Sequence, residues 1–196
     1  MNRGHNREQI FDDDGDCELF LSALRIAAKR HSMDVHGFAL MKNHFHLLVT
    51  PQLPDAVSKA VGVTQWQYGR YYNRKHEAIG SIWNGRYHPV PIESAWQWLV
   101  CLRYIELNPV RAGLAHEPGA YRWTSYGFHA RGSQTFSWLT SHPVVQGLGP
   151  SDEDRQAIFR TLCASPLTEA EMTLMRHPPS MRLAVDGQSS AEFASL

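Results

Sequence analysis

Cysteine is scarce in this chain. Cys17, Cys101 and Cys163 are an odd number, far apart, and form no Cys-x-x-Cys pair. That excludes a disulfide framework and a zinc knuckle, and three buried thiols are expected. Long apolar runs are absent. None approaches the roughly 18–20 residues of a membrane span, and the N-terminus is too polar for a signal peptide. A cytoplasmic protein with no membrane partner is the expectation. Net charge is lacking too, because Lys plus Arg and Asp plus Glu each number 19. A uniformly basic coat for nucleic acid is therefore excluded. No cluster of acids supports a water-activating hydrolase centre, which weighs against a metal-dependent hydrolase of small phosphoesters. The aspartates at 12, 13, 14 and 16 lack the glutamate that an EF-hand needs at loop position twelve. They read instead as a loop that caps a helix, where negative charge suits the N-terminus. No internal repeat is visible.

What is present points to one globular core with an appendage. The 196 residues are 43% hydrophobic and 19% charged, which is globular rather than disordered composition. Charge is unevenly spread. Residues 58–131 hold nine basic side chains against four acidic ones, near +5, between more acidic ends. A basic middle fits a local anionic partner. The periodicity predicts a helix over 17–31, strands over 35–41 and 44–51, and a helix over 54–76. An extended segment broken by Pro89 and Pro91 follows over 81–92, then a helix over 96–107 stopped by Pro109. Two short helices are expected over 151–162 and 168–176, with capping-box spacing at Thr168 and Glu171. The Pro-, Ser- and Gly-rich tail from Pro178 reads as mobile.

His44-Phe45-His46 heads an apolar, β-prone run. Side chains alternate along a strand, so His44 and His46 share one face while Phe45 and Leu47 point to a core. Paired imidazoles on a rigid strand are two thirds of a metal site; a lone strand histidine is more often a hydrogen-bonded surface residue. Tyr104 and Asn108 are four apart, hence stacked on one helix face. Two imidazoles and an amide oxygen would suit Mg²⁺ or Mn²⁺, with Zn²⁺ also admissible. Tyr104 would then be a candidate nucleophile, against the commoner case of an ordinary helix tyrosine. Trp66, Tyr68, Arg70, Tyr71, Tyr72, Arg74 and Lys75 interleave aromatics with cations. Such a helix either stacks bases and neutralises phosphates or buries an aromatic stripe beneath a solvated basic face.

His44-Phe45-His46 resembles the His-hydrophobic-His motif of HUH endonucleases. Together with Tyr104-Ile105-Glu106-Leu107-Asn108-Pro109-Val110, it closely resembles the REP-associated tyrosine transposases of the IS200-like, single-tyrosine superfamily. Asn73-Arg74-Lys75-His76, Ser81-Ile82-Trp83-Asn84-Gly85-Arg86-Tyr87 and Trp123-Thr124-Ser125-Tyr126 fit in the same order. The resemblance implies a metal-dependent single-stranded DNA endonuclease and transposase that cleaves beside hairpins through a 5′-phosphotyrosine. It implies Tyr104 as nucleophile; His44, His46 and Asn108 as ligands of Mg²⁺ or Mn²⁺; and hairpin or single-stranded DNA of repetitive extragenic palindromes as partner. Arg70, Tyr71, Arg74, Lys75, Arg86, Arg103 and Arg111 are the expected DNA contacts, and a monomer or a homodimer is expected. The implied fold is α+β, a ferredoxin-like antiparallel sheet with helices on one face and a helical C-terminal extension. The expected division is 1–131 for the transposase domain and 132–196 for the extension with its tail. The residues read as α-β-β-α-β-α, so the first strand of the family's β-α-β-β-α-β order is expected to be unfilled. That gap motivates an alternative, a decayed transposase that only binds structured DNA or RNA.

Overall fold

The computed structural model describes residues 1–176; the expected mobile tail lies outside them. Strand β1 (Asn2–Arg3) leads to helix α1 (Asp14–Arg30), the hairpin of β2 (Met33–Met41) and β3 (His44–Pro51), and helices α2 (Ala56–Lys75) and α3 (Ala95–Arg111). Helices α4 (Tyr126–Arg131), α5 (Pro143–Gln146), α6 (Asp152–Ala164) and α7 (Glu169–Arg176) complete the described chain. The aspartate run does cap α1. The Asp13 carboxylate accepts from the Asp16 backbone N–H at 3.0 Å, and Asp16 reciprocates to Asp13 at 3.3 Å. This capping box satisfies two N–H groups that the helix leaves unpaired.

The sheet is antiparallel, in the order β1-β3-β2. The first-strand position is therefore filled, contrary to expectation: Asn2 pairs with Phe45 and Arg3 with His44. Two residues are too few to show an alternating pattern, so composition could not reveal the strand. Single bridges extend both edges, Gly4 to Trp83 beside β1 and Ala39 to Thr124 beside β2. Trp83 stands where a ferredoxin-like sheet has its fourth strand. The rest of the 81–92 segment is not strand, as its prolines would dictate.

Helices cover both faces of this sheet rather than one. Phe38, Leu40 and Phe45 point into a core with α1 and α2 that includes Phe20, Leu24 and Tyr68. Ala39 and Leu48 point the other way, onto Trp98, Leu102 and Ile105 of α3. That second packing is close. A Cβ on Gly37 would sit 2.7 Å from Leu102 Cδ1, so glycine lets α3 approach the strand. Helix α3 also runs through Pro109 to Arg111 instead of stopping before it. A proline so near the end interrupts only the last turn, and the carbonyls there find other donors. Ala112 N–H donates to Asn108 O at 2.9 Å, and Leu114 N–H to Pro109 O at 2.8 Å. Phe159 and Cys163 of α6 join the α3 side of the core. Thr168 and Glu171 form the expected capping box at the head of α7.

Candidate active site

His44 and His46 project from the face of β3 that α3 covers, with ring centroids 5.0 Å apart. The alternation that sends Phe45 into the α1–α2 core sends both imidazoles here. His46 is buried, 9% exposed. Burial lowers the affinity of both rings for a proton, His44 to about 4 and His46 well below its ordinary value, with nearby positive groups such as Arg3 adding to the effect. At neutral pH both rings are uncharged, the form that can donate a lone pair to a metal.

Helix α3 brings the remaining groups. The Tyr104 ring meets His46 edge to face at 5.7 Å. Arg111 lies over the Tyr104 ring, 4.8 Å from its centroid, and its Nη1 donates to Asn108 Oδ1 at 3.4 Å. Tyr104, Asn108 and Arg111 are spaced by four and three residues, which places them on one helix face. His44, His46, Tyr104, Asn108 and Arg111 thus form one connected cluster between sheet and helix. That helical spacing was the available signal for Arg111, which was expected only as a DNA contact. A pocket of about 300 Å³ opens beside His44, walled in part by Arg7, Lys42 and Asn43.

Among the described residues, no three His, Cys, Asp or Glu side chains converge as a metal site. A third protein ligand beside the histidines has to be of another type. Asn108 suits this. It is buried, its Nδ2 has no hydrogen-bond partner among the described residues, and its Oδ1 accepts one long contact. An amide oxygen has two lone pairs, so one remains for an ion. Two neutral imidazoles and an amide oxygen are a donor set that fits a divalent ion with open positions.

Of the expected DNA contacts Arg111 joins this cluster, and the other six do not. Arg70, Tyr71, Arg74 and Lys75 lie on α2, on the opposite side of the sheet. Arg70 stacks on Trp66 at 4.9 Å, and with Arg74, Leu19 and Ile26 they line a groove of about 470 Å³ between α1 and α2. The Tyr71 hydroxyl donates to Asp16 at 3.0 Å, and Lys75 pairs with Asp13 and Asp16 at 2.8 and 2.7 Å. Arg86 is exposed in the 81–92 segment. Arg103 is buried: it is ion-paired with Glu171 and donates to Leu162 O at 2.9 Å and Ser165 O at 3.2 Å. These contacts commit Arg103 and Lys75 to the fold.

These observations define an α+β protein with a ferredoxin-like sheet and one polar cluster beneath a long helix. The model of the IS200-like transposase family matches residues 1–108, more than half of the chain, and the chain belongs to that family. A solved structure of a REP-associated tyrosine transposase bound to a REP hairpin is similar in fold. Its TM-score is 0.53 at 16% identity, covering 67% of this chain and 76% of that one. No curated protein matches. Among the described residues no helix is long and apolar enough to cross a membrane.

Proposed function

We propose that this transposase is a metal-dependent single-stranded DNA endonuclease that cuts beside hairpins through a covalent tyrosine intermediate. The observation that carries the reading is the convergence of Tyr104 on the paired imidazoles, with Arg111 and Asn108 beside it. His44, His46 and Asn108 would hold Mg²⁺ or Mn²⁺, which when bound would polarise a phosphoryl oxygen. Tyr104 Oη forms a bond to the phosphorus and gives up its proton to solvent. The bond from phosphorus to the 3′ oxygen breaks, and that oxygen leaves with the electron pair and takes up a proton. The products are a 5′-phosphotyrosine and a free 3′-OH. The guanidinium of Arg111 offsets the phosphate charge at the same point. The catalytic unit is proposed to span 1–131, with the described part of the extension clamped to α3 through Arg103.

A hairpin-bearing oligonucleotide incubated with Mn²⁺ tests this reading. Wild type should give a denaturation-resistant adduct, lost with EDTA and in Tyr104→Phe. An adduct that forms equally in Tyr104→Phe overturns Tyr104 as the nucleophile. The binding-only alternative drew on an unfilled first strand, and Asn2–Arg3 fills that place. It would be favoured by salt-sensitive hairpin binding with no adduct under any metal.

A further inference from the structure

Asn43 occupies the turn between β2 and β3, one residue before His44. Its side chain makes two hydrogen bonds. Nδ2 donates to the Arg7 carbonyl oxygen at 3.0 Å, and Oδ1 lies 2.7 Å from His44 Nδ1. The first bond fixes the direction of the second. A carbonyl oxygen can only accept, so the amide atom facing Arg7 must be the nitrogen. The atom facing His44 is then the oxygen, which also only accepts. His44 Nδ1 must therefore carry the proton, and a neutral imidazole has one proton to place. Nε2 is left bare.

The frame around this amide is rigid. Gly4 N–H donates to Asn43 O at 2.8 Å, while Ile10 and Phe11 N–H groups donate to Lys42 O at 2.8 and 3.0 Å. The 3-10 turn His5–Arg7 that presents the Arg7 carbonyl holds Asn6 and Arg7 at φ 50 and 63. Non-glycine residues rarely take that conformation unless surrounding contacts hold it. Gly4 is packed so tightly that a Cβ would lie 2.4 Å from Glu8 O. These contacts hold the turn with the Arg7 carbonyl facing Asn43.

We propose that Asn43 is a positioning residue: it holds the His44 proton on Nδ1 and directs a bare Nε2 into the active site. The use of that lone pair rests on the metal-ligand reading given above; the tautomer itself does not. The test is ¹⁵N NMR of the metal-free, ¹⁵N-histidine-labelled protein, read beside a Mn²⁺ titration followed by EPR. In wild type, His44 should show a protonated Nδ1 and an unprotonated Nε2. Asn43→Ala should populate the Nε2–H form and weaken Mn²⁺ binding by about 10–100-fold. Asn43→Asp, which retains an acceptor oxygen, should restore the Nδ1–H form. A wild-type proton on Nε2 overturns the inference without reference to any variant, as does an unchanged tautomer or unchanged Mn²⁺ affinity in Asn43→Ala. If wild type shows the expected tautomer but binds no Mn²⁺, the metal reading fails and the orienting role of Asn43 stands.

Discussion

Glu106 shows how much a single residue can carry here. It sits on α3 two residues after Tyr104 and is wholly buried. Its Oε1 accepts from Ser125 Oγ, while Oε2 has no partner among the described residues. Burial raises its affinity for a proton to about 8, and the bond from Ser125 opposes this only in part. An unfolded glutamate titrates near 4.5. Between these values the folded state binds more protons than the unfolded one, so this group makes stability fall as pH rises. The loss is on the order of 5 kcal/mol across the window. Glu106→Gln should remove that slope, so the variant gains on wild type steadily from pH 4.5 to 8 in denaturant titrations. A constant difference between the two proteins would show that Glu106 is not protonated in the fold. Gly37 gives a second test at this scale. Gly37→Ala drives a methyl against the buried Leu102, an overpacking that should cost about 1–3 kcal/mol by thermal melting.

At the scale of elements, legibility followed the range of the signal. The β2–β3 hairpin and the helices α1, α2 and α3 were readable because alternation, helical spacing and capping residues are local. The His44–His46 face and the Tyr104–Asn108 face were readable for the same reason. Strand β1 was not, since Asn2–Arg3 is defined only by partners 41 or more residues away. Nor was the placement of α3 on the second face, which depends on the close approach that Gly37 permits. The fate of Arg103 was equally hidden. Its partner Glu171 is 68 residues distant, and nothing near Arg103 announces it. The pair is buried, with each residue 8% exposed. Removing one member leaves an uncompensated charge, which costs about 3–5 kcal/mol. Glu171→Ala should accordingly lower stability by that amount and loosen α7 from α3. The affinity of the folded protein for DNA should be unchanged. Loss of DNA affinity without loss of stability in Arg103→Ala would return Arg103 to the DNA-binding set.

Across the whole molecule, the sheet separates two surfaces that carry the expected site residues. The imidazoles lie under α3, against its Tyr104 and Arg111. The exposed Trp66, Arg70 and Arg74 line the α1–α2 groove on the other side. A strand that touched both would have to pass around an edge of the sheet, so binding and cleavage should be separable by mutation. Among the described residues the groove presents two arginines without an acidic partner and one stacking platform, while Lys75 is neutralised by Asp13 and Asp16. Arg70→Ala with Arg74→Ala should therefore shrink the slope of log affinity against log salt by about 1.4 for single-stranded DNA, the value for two phosphate contacts. Trp66→Ala should remove about 1–3 kcal/mol of stacking. Mn²⁺ affinity should not move in any of these variants, and adduct formation at saturating DNA should persist. Tyr104→Phe should show the opposite pattern, with full binding and no adduct. A triple groove variant that binds hairpin DNA with an unchanged salt slope would exclude this face from DNA contact and leave the anionic partner to the cations around the active site, Arg3, Arg7, Lys42 and Arg111.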